Sequence, residues 1–85
     1  MDFKKIKIGD IIKIKEKKYE IIGFMEDAEC LPPNYKWRDT LEFDLLEKGS
    51  KRITPTHWLV YYLDTKEISF SSRKLKEKDV QVISW

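Results

Sequence analysis

Residues 56–70, THWLVYYLDTKEISF, contain the feature that decides the fold of this chain. The run WLVYYL is apolar on both alternating faces, a pattern typical of a central strand that is covered on both sides. A polar turn follows, and Ile68-Ser69-Phe70-Ser71 then alternates as the next strand. The aromatic side chains either fill a small barrel or form a surface that stacks on a ligand. We expect the core, with one face inside the barrel and the other beneath a loop or terminus.

The flanking segments predict further short strands. Residues 12–15 alternate after Gly9-Asp10 breaks the shorter alternation of residues 6–8, 19–25 return as the second half of a hairpin, and 41–45 and 80–83 add two more strands. Gly23, inside the hairpin, indicates a bulge or bend. Residues 26–36 contain Pro32-Pro33 and predict a long loop. Residues 72–79 predict one helical turn capped by Ser71 or Ser72.

These elements predict an all-β fold, a small SH3-like, partly open barrel of five or six antiparallel strands with at most one short helical turn. A chain of 85 residues forms one domain, so residues 1–85 are predicted to be a single small β-barrel.

The amino-acid composition indicates the environment in which the protein works. Charged residues make up 38% of the chain, and with few Asn, Gln or Cys this is typical of proteins from hot environments. The single cysteine, Cys30, cannot form an intramolecular disulfide. No apolar run reaches the roughly 20 residues of a membrane span, and the charged start lacks a signal sequence. We therefore expect a cytoplasmic protein.

Charge is unevenly distributed along the chain. Residues 1–18 have net charge +4, residues 19–47 have −6, and residues 48–85 have +4. Either the two basic ends meet as one surface for polyanions, or they pair with the acidic middle; we favour the pairing.

A lysine ladder is the first candidate site. Lys5, Lys7, Lys13 and Lys15 are expected on one side of the N-terminal strands, where they would attract a phosphate backbone. The alternative is a solvated edge strand, on which lysine prevents aggregation.

Aromatic and guanidinium side chains supply the other candidates. Trp37, Arg38 and Trp58 are predicted binding residues, and together with Lys13 and Lys15 they form the predicted site. Trp85 is expected to fold back onto the barrel. His57 and Cys30 are the only candidates for a catalytic pair, and nothing in the sequence places them together. No motif indicates a catalytic residue, a metal site or a cofactor.

Part of the sequence resembles a family of uncharacterised prokaryotic domains, domain of unknown function 4178. The similarity lies in IGDIIKIKEKKYEIIGF, KWRDTLEFDLL and HWLVYY, within residues 6–63. Gly9, Tyr19, Ile22-Gly23, Trp37, Glu42-Phe43-Asp44-Leu45 and Trp58-Leu59 occupy the positions of its motifs. The resemblance implies an all-β fold and supplies no activity.

Three classes of function remain open. We expect a non-catalytic binding module whose partner is a protein or a second copy of the chain. Nucleic acid bound on the basic lysine face is the alternative. An enzyme centred on His57 is the remotest hypothesis.

Overall fold

The structure, a computed structural model, describes residues 2–31 and 36–83, with the side chains of residues 2–28 and 38–83. The described residues form two single-turn 3-10 helices, Phe3–Lys5 and Glu77–Asp79, and seven strands. These strands are β1 (Ile11–Ile14), β2 (Lys17–Leu31), β3 (Lys36–Glu47), β4 (His57–Tyr62), β5 (Ile68–Phe70), β6 (Arg73–Leu75) and β7 (Val80–Val82). Within those ranges, no helix has the length and apolarity needed to span a membrane.

All seven strands belong to one antiparallel sheet in the order β6-β5-β4-β3-β2-β1-β7. The sheet curls into a half-barrel whose two edges, β6 and β7, are not joined by strand pairing. The prediction of an all-β, partly open barrel is confirmed. One strand more than expected forms because residues 73–75 pair with β5, and the helical turn predicted within 72–79 is present only at its end, as the 3-10 turn Glu77–Asp79.

The core lies on the concave face of the sheet. Central strand β3 contributes Leu41, Phe43 and Leu45, all of which are at most 1% exposed. The N-terminal segment closes this face from inside, since the ring of Phe3 stacks on that of Tyr61 with centroids 4.3 Å apart. The buried apolar side chains are Phe3, Ile6, Ile12, Ile14, Tyr19, Ile21, Leu41, Phe43, Leu45, Leu59, Ile68 and Val80.

The predicted irregularity at Gly23 is confirmed. The register of β2 against β3 shifts between Ile21 and Gly23, which marks a bulge. Because side chains alternate along a strand, the extra residue reverses which residues of β2 point to the concave side and which to the convex side. Phe24, paired with buried Phe43, therefore lies on the concave side, and Met25 on the convex side.

The prediction of a loop at residues 26–36 is wrong for most of that range. Residues 26–31 continue β2 and pair with residues 36–41 of β3, so the two strands form a long hairpin. Pro32 and Pro33 lie outside the described residues. The prolines prevent strand pairing only at their own positions, whereas the acidic residues before them have ordinary backbone donors and acceptors.

The alternation of residues 6–8 does not continue as a strand, because the chain there leaves the first 3-10 turn and packs Ile6 into the core. One other local prediction is wrong. Ser71 and Ser72 cap no helix. Their φ angles of 46° and 73° place them in the tight turn between β5 and β6.

Strand β4 answers the question raised by its aromatic run. Leu59 and Tyr61 share the concave face and contribute to the core, as expected. Trp58 lies on the convex face and is 49% exposed, so the prediction that both faces are covered is wrong there. The physical reason is that the N-terminal segment packs inside the half-barrel, not over its outer face.

Candidate functional site

The outer face of the sheet has a group of exposed apolar side chains bordered by carboxylates. Trp58, Val60 and Tyr62 alternate along β4 and share this face. Strand pairing places Asp44 opposite Trp58 and Glu42 opposite Val60, while Met25 lies opposite Glu42 on the next strand. We use the name convex surface for these six residues, Met25, Glu42, Asp44, Trp58, Val60 and Tyr62.

Trp58 is the most prominent member of the convex surface. Its side chain is about half exposed, and Met25 is 55% exposed two strands away. The backbone of Trp58 is nevertheless fixed, because its carbonyl accepts a hydrogen bond of 2.9 Å from the amide of Ser71. Tryptophan is enriched among the residues that dominate binding energy at protein interfaces, so a half-exposed indole on a well-paired strand is the centre of this candidate site.

Asp44 occupies space that the bulge glycine provides. A Cβ atom at Gly23 would lie 2.6 Å from Oδ2 of Asp44 and 3.1 Å from its Cβ. The absence of a side chain at Gly23 therefore lets the Asp44 carboxylate lie over β2. This arrangement places a negative charge directly across the strand pair from Trp58.

Arg38 is held by intramolecular contacts at one end of the convex surface. Its Nη2 atom lies 3.2 Å from Oδ1 of Asp64 and donates a hydrogen bond of 2.7 Å to Oγ1 of Thr65. The guanidinium carbon also lies 4.2 Å from the ring centroid of Tyr62, a cation–π contact. Arg38 thus positions Tyr62 and ties β3 to the turn between β4 and β5.

The carboxyl group of Asp64 shows the effect of these contacts. Desolvation raises its pKa, but the hydrogen bonds from Arg38 and from the Thr65 amide lower it by more. The net pKa of Asp64 lies below its ordinary value, so the carboxyl group keeps its charge in mildly acidic solution.

The predicted lysine ladder does not form one face. Lys13 lies on the outer side of β1, opposite Lys18, because its neighbours Ile12 and Ile14 are buried on the inner side. Lys15 has a φ angle of 58° in the turn that follows β1, and it lines a cleft at the inner side of the half-barrel. The prediction that these lysines share a side is wrong, because the turn ends the strand alternation after Ile14.

The basic ends of the chain do meet, and they also pair with the acidic middle. Strand β1 is hydrogen-bonded to β7, which brings the two termini of the fold together. Lys17 forms an ion pair of 3.2 Å with Glu47, and Lys48 one of 3.7 Å with Glu20. The ion pairs are those expected if the basic ends pair with the acidic middle, whereas a single basic surface for polyanions stays a prediction.

The remaining candidates have separate locations. Trp37 pairs through its backbone with Cys30 in the long hairpin, and the side chains of both lie outside the described part, as does Trp85. The imidazole of His57 packs against the rings of Tyr19 and Phe70. Within 2–31 and 36–83, no group of three His, Cys, Asp or Glu side chains is arranged to hold a metal ion.

The sequence identified Trp58 but missed its surroundings. Met25 and Asp44 are separated from Trp58 in the chain, and only the sheet register makes them neighbours. Gly23 was the available signal, because a bulge reverses which residues of β2 face outward.

Comparison of the chain with protein-family models, with curated proteins and with solved structures finds no match. The resemblance to domain of unknown function 4178 therefore stays a prediction.

Proposed function

We propose that this chain is a non-catalytic interaction module whose convex surface binds a protein partner. The observation that supports this proposal is the half-exposed Trp58, held on an internal strand of the sheet and bordered by Met25 and Asp44. Tryptophan is strongly enriched among the residues that dominate binding energy, and charged residues commonly surround such anchors.

The charge of the convex surface favours a basic partner. Asp44 and Glu42 lie opposite Trp58 and Val60, so a phosphate backbone that approached these side chains would meet like charge. A peptide segment that combines an apolar side chain with Lys or Arg would contact the indole of Trp58 and pair with the carboxylate of Asp44. A second copy fits less well, because a symmetric dimer through this face would bring the acidic residues of both copies together.

The geometry also favours binding at low entropic cost. The strand neighbours of Trp58 are paired on both sides, and Arg38 holds Tyr62 in place. A preformed surface loses little conformational entropy when a partner docks.

A peptide display selection on the immobilised protein tests this proposal. We expect enrichment of peptides that carry an aromatic or aliphatic residue next to Lys or Arg. The substitution W58A should weaken the binding of a selected peptide by at least about tenfold, since anchor residues contribute about 2 kcal/mol or more. D44N should weaken binding less, and mainly at low salt.

Ile53 provides the matched control. It is 93% exposed in the connection between β3 and β4, so I53A removes exposed apolar area away from the convex surface. I53A should bind the selected peptide as the wild type does. Peptides that bind W58A and the wild type equally would rule the proposal out.

Nucleic-acid binding by a basic lysine face, and catalysis, stay predictions of lower rank. Nucleic acid bound on a continuous lysine face is not favoured, because Lys13 and Lys15 lie on different sides of the sheet. For catalysis, replacing His57 by Ala should leave any activity found in a preparation of the protein unchanged.

A further inference from the structure

A second candidate binding site lies at the open seam of the half-barrel, on the opposite face from the convex surface. The turn between β1 and β2 and the hairpin of β5 and β6 enclose a cleft of about 390 Å³. We use the name seam cleft for this depression. Its lining residues are Ile14, Lys15, Glu16, Lys17, Tyr19, His57, Phe70, Arg73, Lys74 and Leu75.

Aromatic rings form one part of the seam cleft. The imidazole of His57 stacks on the ring of Phe70, with centroids 5.1 Å apart and planes inclined by 13°. Tyr19 meets both rings edge-on, at 5.1 Å from His57 and 5.5 Å from Phe70. His57 and Phe70 remain partly exposed, so the cleft presents stacked, flat surfaces to a ligand.

Several contacts keep these rings in place. Nδ1 of His57 lies 3.0 Å from Oγ1 of Thr56, and that hydroxyl also accepts a hydrogen bond from the amide of Glu47. Burial raises the pKa of Tyr19, and the nearby Glu47 raises it further, so the phenol stays neutral at physiological pH. The aromatic wall is therefore preorganised.

Cations form the other part of the seam cleft. Four of its lining residues are basic, Lys15, Lys17, Arg73 and Lys74, and one, Glu16, is acidic. All four basic residues are exposed. One of them, Lys17, is partly neutralised by Glu47 at 3.2 Å. The cleft thus combines a local excess of positive charge with stacked rings.

We infer that the seam cleft binds a nucleotide unit, with the base against the Phe70–His57 wall and the phosphate at the basic rim. Bases stack on aromatic side chains whatever their sequence, and Lys and Arg recognise phosphate. An acidic peptide would pair its carboxylates with the cations of the cleft, but carboxylates do not stack on the two parallel rings. The nucleotide unit has two sources, a free nucleotide and a single-stranded nucleic acid, and the experiment separates them.

The test is titration of isotope-labelled protein with thymidine monophosphate, a short oligothymidylate, inorganic phosphate or polyglutamate, followed by NMR. We expect amide shifts confined to the turn of Lys15 and Glu16, to His57 and to residues 70–75. Binding of the oligonucleotide alone assigns the site to single strands. Equal binding of the monophosphate assigns it to free nucleotides. Each of these two results supports the inference.

Two variants and a matched control sharpen the test. F70L removes the ring but keeps an apolar side chain, and should weaken binding about tenfold. R73A/K74A removes two rim cations and should weaken binding at least about tenfold at low salt. K51A/R52A removes the same charge from the connection between β3 and β4, outside the seam cleft, and should have a much smaller effect.

The inference is overturned if inorganic phosphate or polyglutamate binds as tightly as the nucleotides, or if F70L binds like the wild type. Equal losses in R73A/K74A and K51A/R52A would also overturn it, because binding would then follow net charge alone. W58A should retain nucleotide binding, and F70L, which changes a side chain on the concave face, should retain peptide binding, so this inference and the proposed protein-binding function fail separately.

Discussion

At the scale of single residues, the convex surface depends on the contact between Gly23 and Asp44. The bulge at Gly23 turns Met25 outward, and the missing side chain makes room for the Asp44 carboxylate. One glycine thus sets both the apolar and the acidic part of the surface that surrounds Trp58.

The substitution G23A tests that contact. The new Cβ would meet Oδ2 and Cβ of Asp44 at 2.6 and 3.1 Å, so the carboxylate must move and the strands must adjust. We expect a loss of about 1–2 kcal/mol in the free energy of unfolding. Chemical denaturation measures it.

A double-mutant cycle with D44A identifies the cause. D44A removes the closest atom, so G23A should cost about 0.5–1 kcal/mol less in that background. Equal costs in both backgrounds would show that the destabilisation arises from the glycine backbone and not from Asp44.

Arg38 gives a prediction with a defined pH dependence. The folded-state pKa of Asp64 is lowered, so the stabilisation is present above the pKa of Asp64 in the unfolded chain and is lost as pH falls through the folded value. R38M should lower the Tm by about 1–4 °C at neutral pH. The difference in Tm between R38M and the wild type should shrink below the ordinary pKa range of aspartate.

Thermal unfolding at a series of pH values provides the measurement. R38K keeps a charge but loses the planar group that spans Asp64, Thr65 and Tyr62, and its Tm should lie between those of R38M and the wild type. A Tm difference that stays constant down to strongly acidic pH would contradict the assigned role of the Asp64 charge.

At the scale of secondary-structure elements, the hairpin of β2 and β3 changes character along its length. From Thr40 to Leu45, strand β3 is paired with β2 on one side and with β4 on the other. Residues 36–39 have strand pairing with β2 alone, and one further backbone hydrogen bond, which the carbonyl of Asp39 accepts from the amide of Leu63 just after β4. A two-stranded ribbon is much less stable than a sheet of three or more strands.

Native-state hydrogen exchange should detect this change. Strand amides of residues 41–45 should exchange only through global unfolding, while those of residues 28–31 and 36–39 should exchange through local opening with a much lower free energy. The paired amides within 19–21 are the internal control, because this part of β2 is bonded to β3 on one side and to β1 and Asp10 on the other. Uniform protection along the whole hairpin would show that it is stabilised as one unit.

At the scale of the whole molecule, the core and the proposed peptide-binding surface lie on opposite faces of one sheet. Phe43 is fully buried on the concave side, whereas Trp58, on the adjacent strand, faces out. An 85-residue domain without a disulfide has a small core, so single buried rings carry a large share of its stability.

F43A should therefore affect mainly stability, and W58A mainly peptide binding. F43A should cost about 3–5 kcal/mol, a large part of the stability of a domain this small. W58A should change stability by no more than about 1 kcal/mol and remove peptide binding. Urea denaturation and peptide binding, measured on both variants, provide the test. A large loss of stability in W58A would indicate a core role for the indole instead.

The sequence by itself determined the fold class and most of the core. Alternation in residues 12–15, 41–45 and 68–71 identified strands, and Gly23 marked the bulge, because side-chain period and glycine conformation are local properties. The two prolines led to a wrong prediction of a loop at residues 26–36, because proline prevents strand pairing only at its own position.

Only the tertiary structure decided which aromatic residues face solvent and which charges meet. Trp58 and Tyr61 belong to the same run, yet one is an exposed anchor and the other packs on Phe3. The seam cleft is assembled from β1, β2, β4, β5, β6 and their turns. No sequence spacing encodes that grouping, because strand register and the curl of the sheet bring together residues that are distant in the chain.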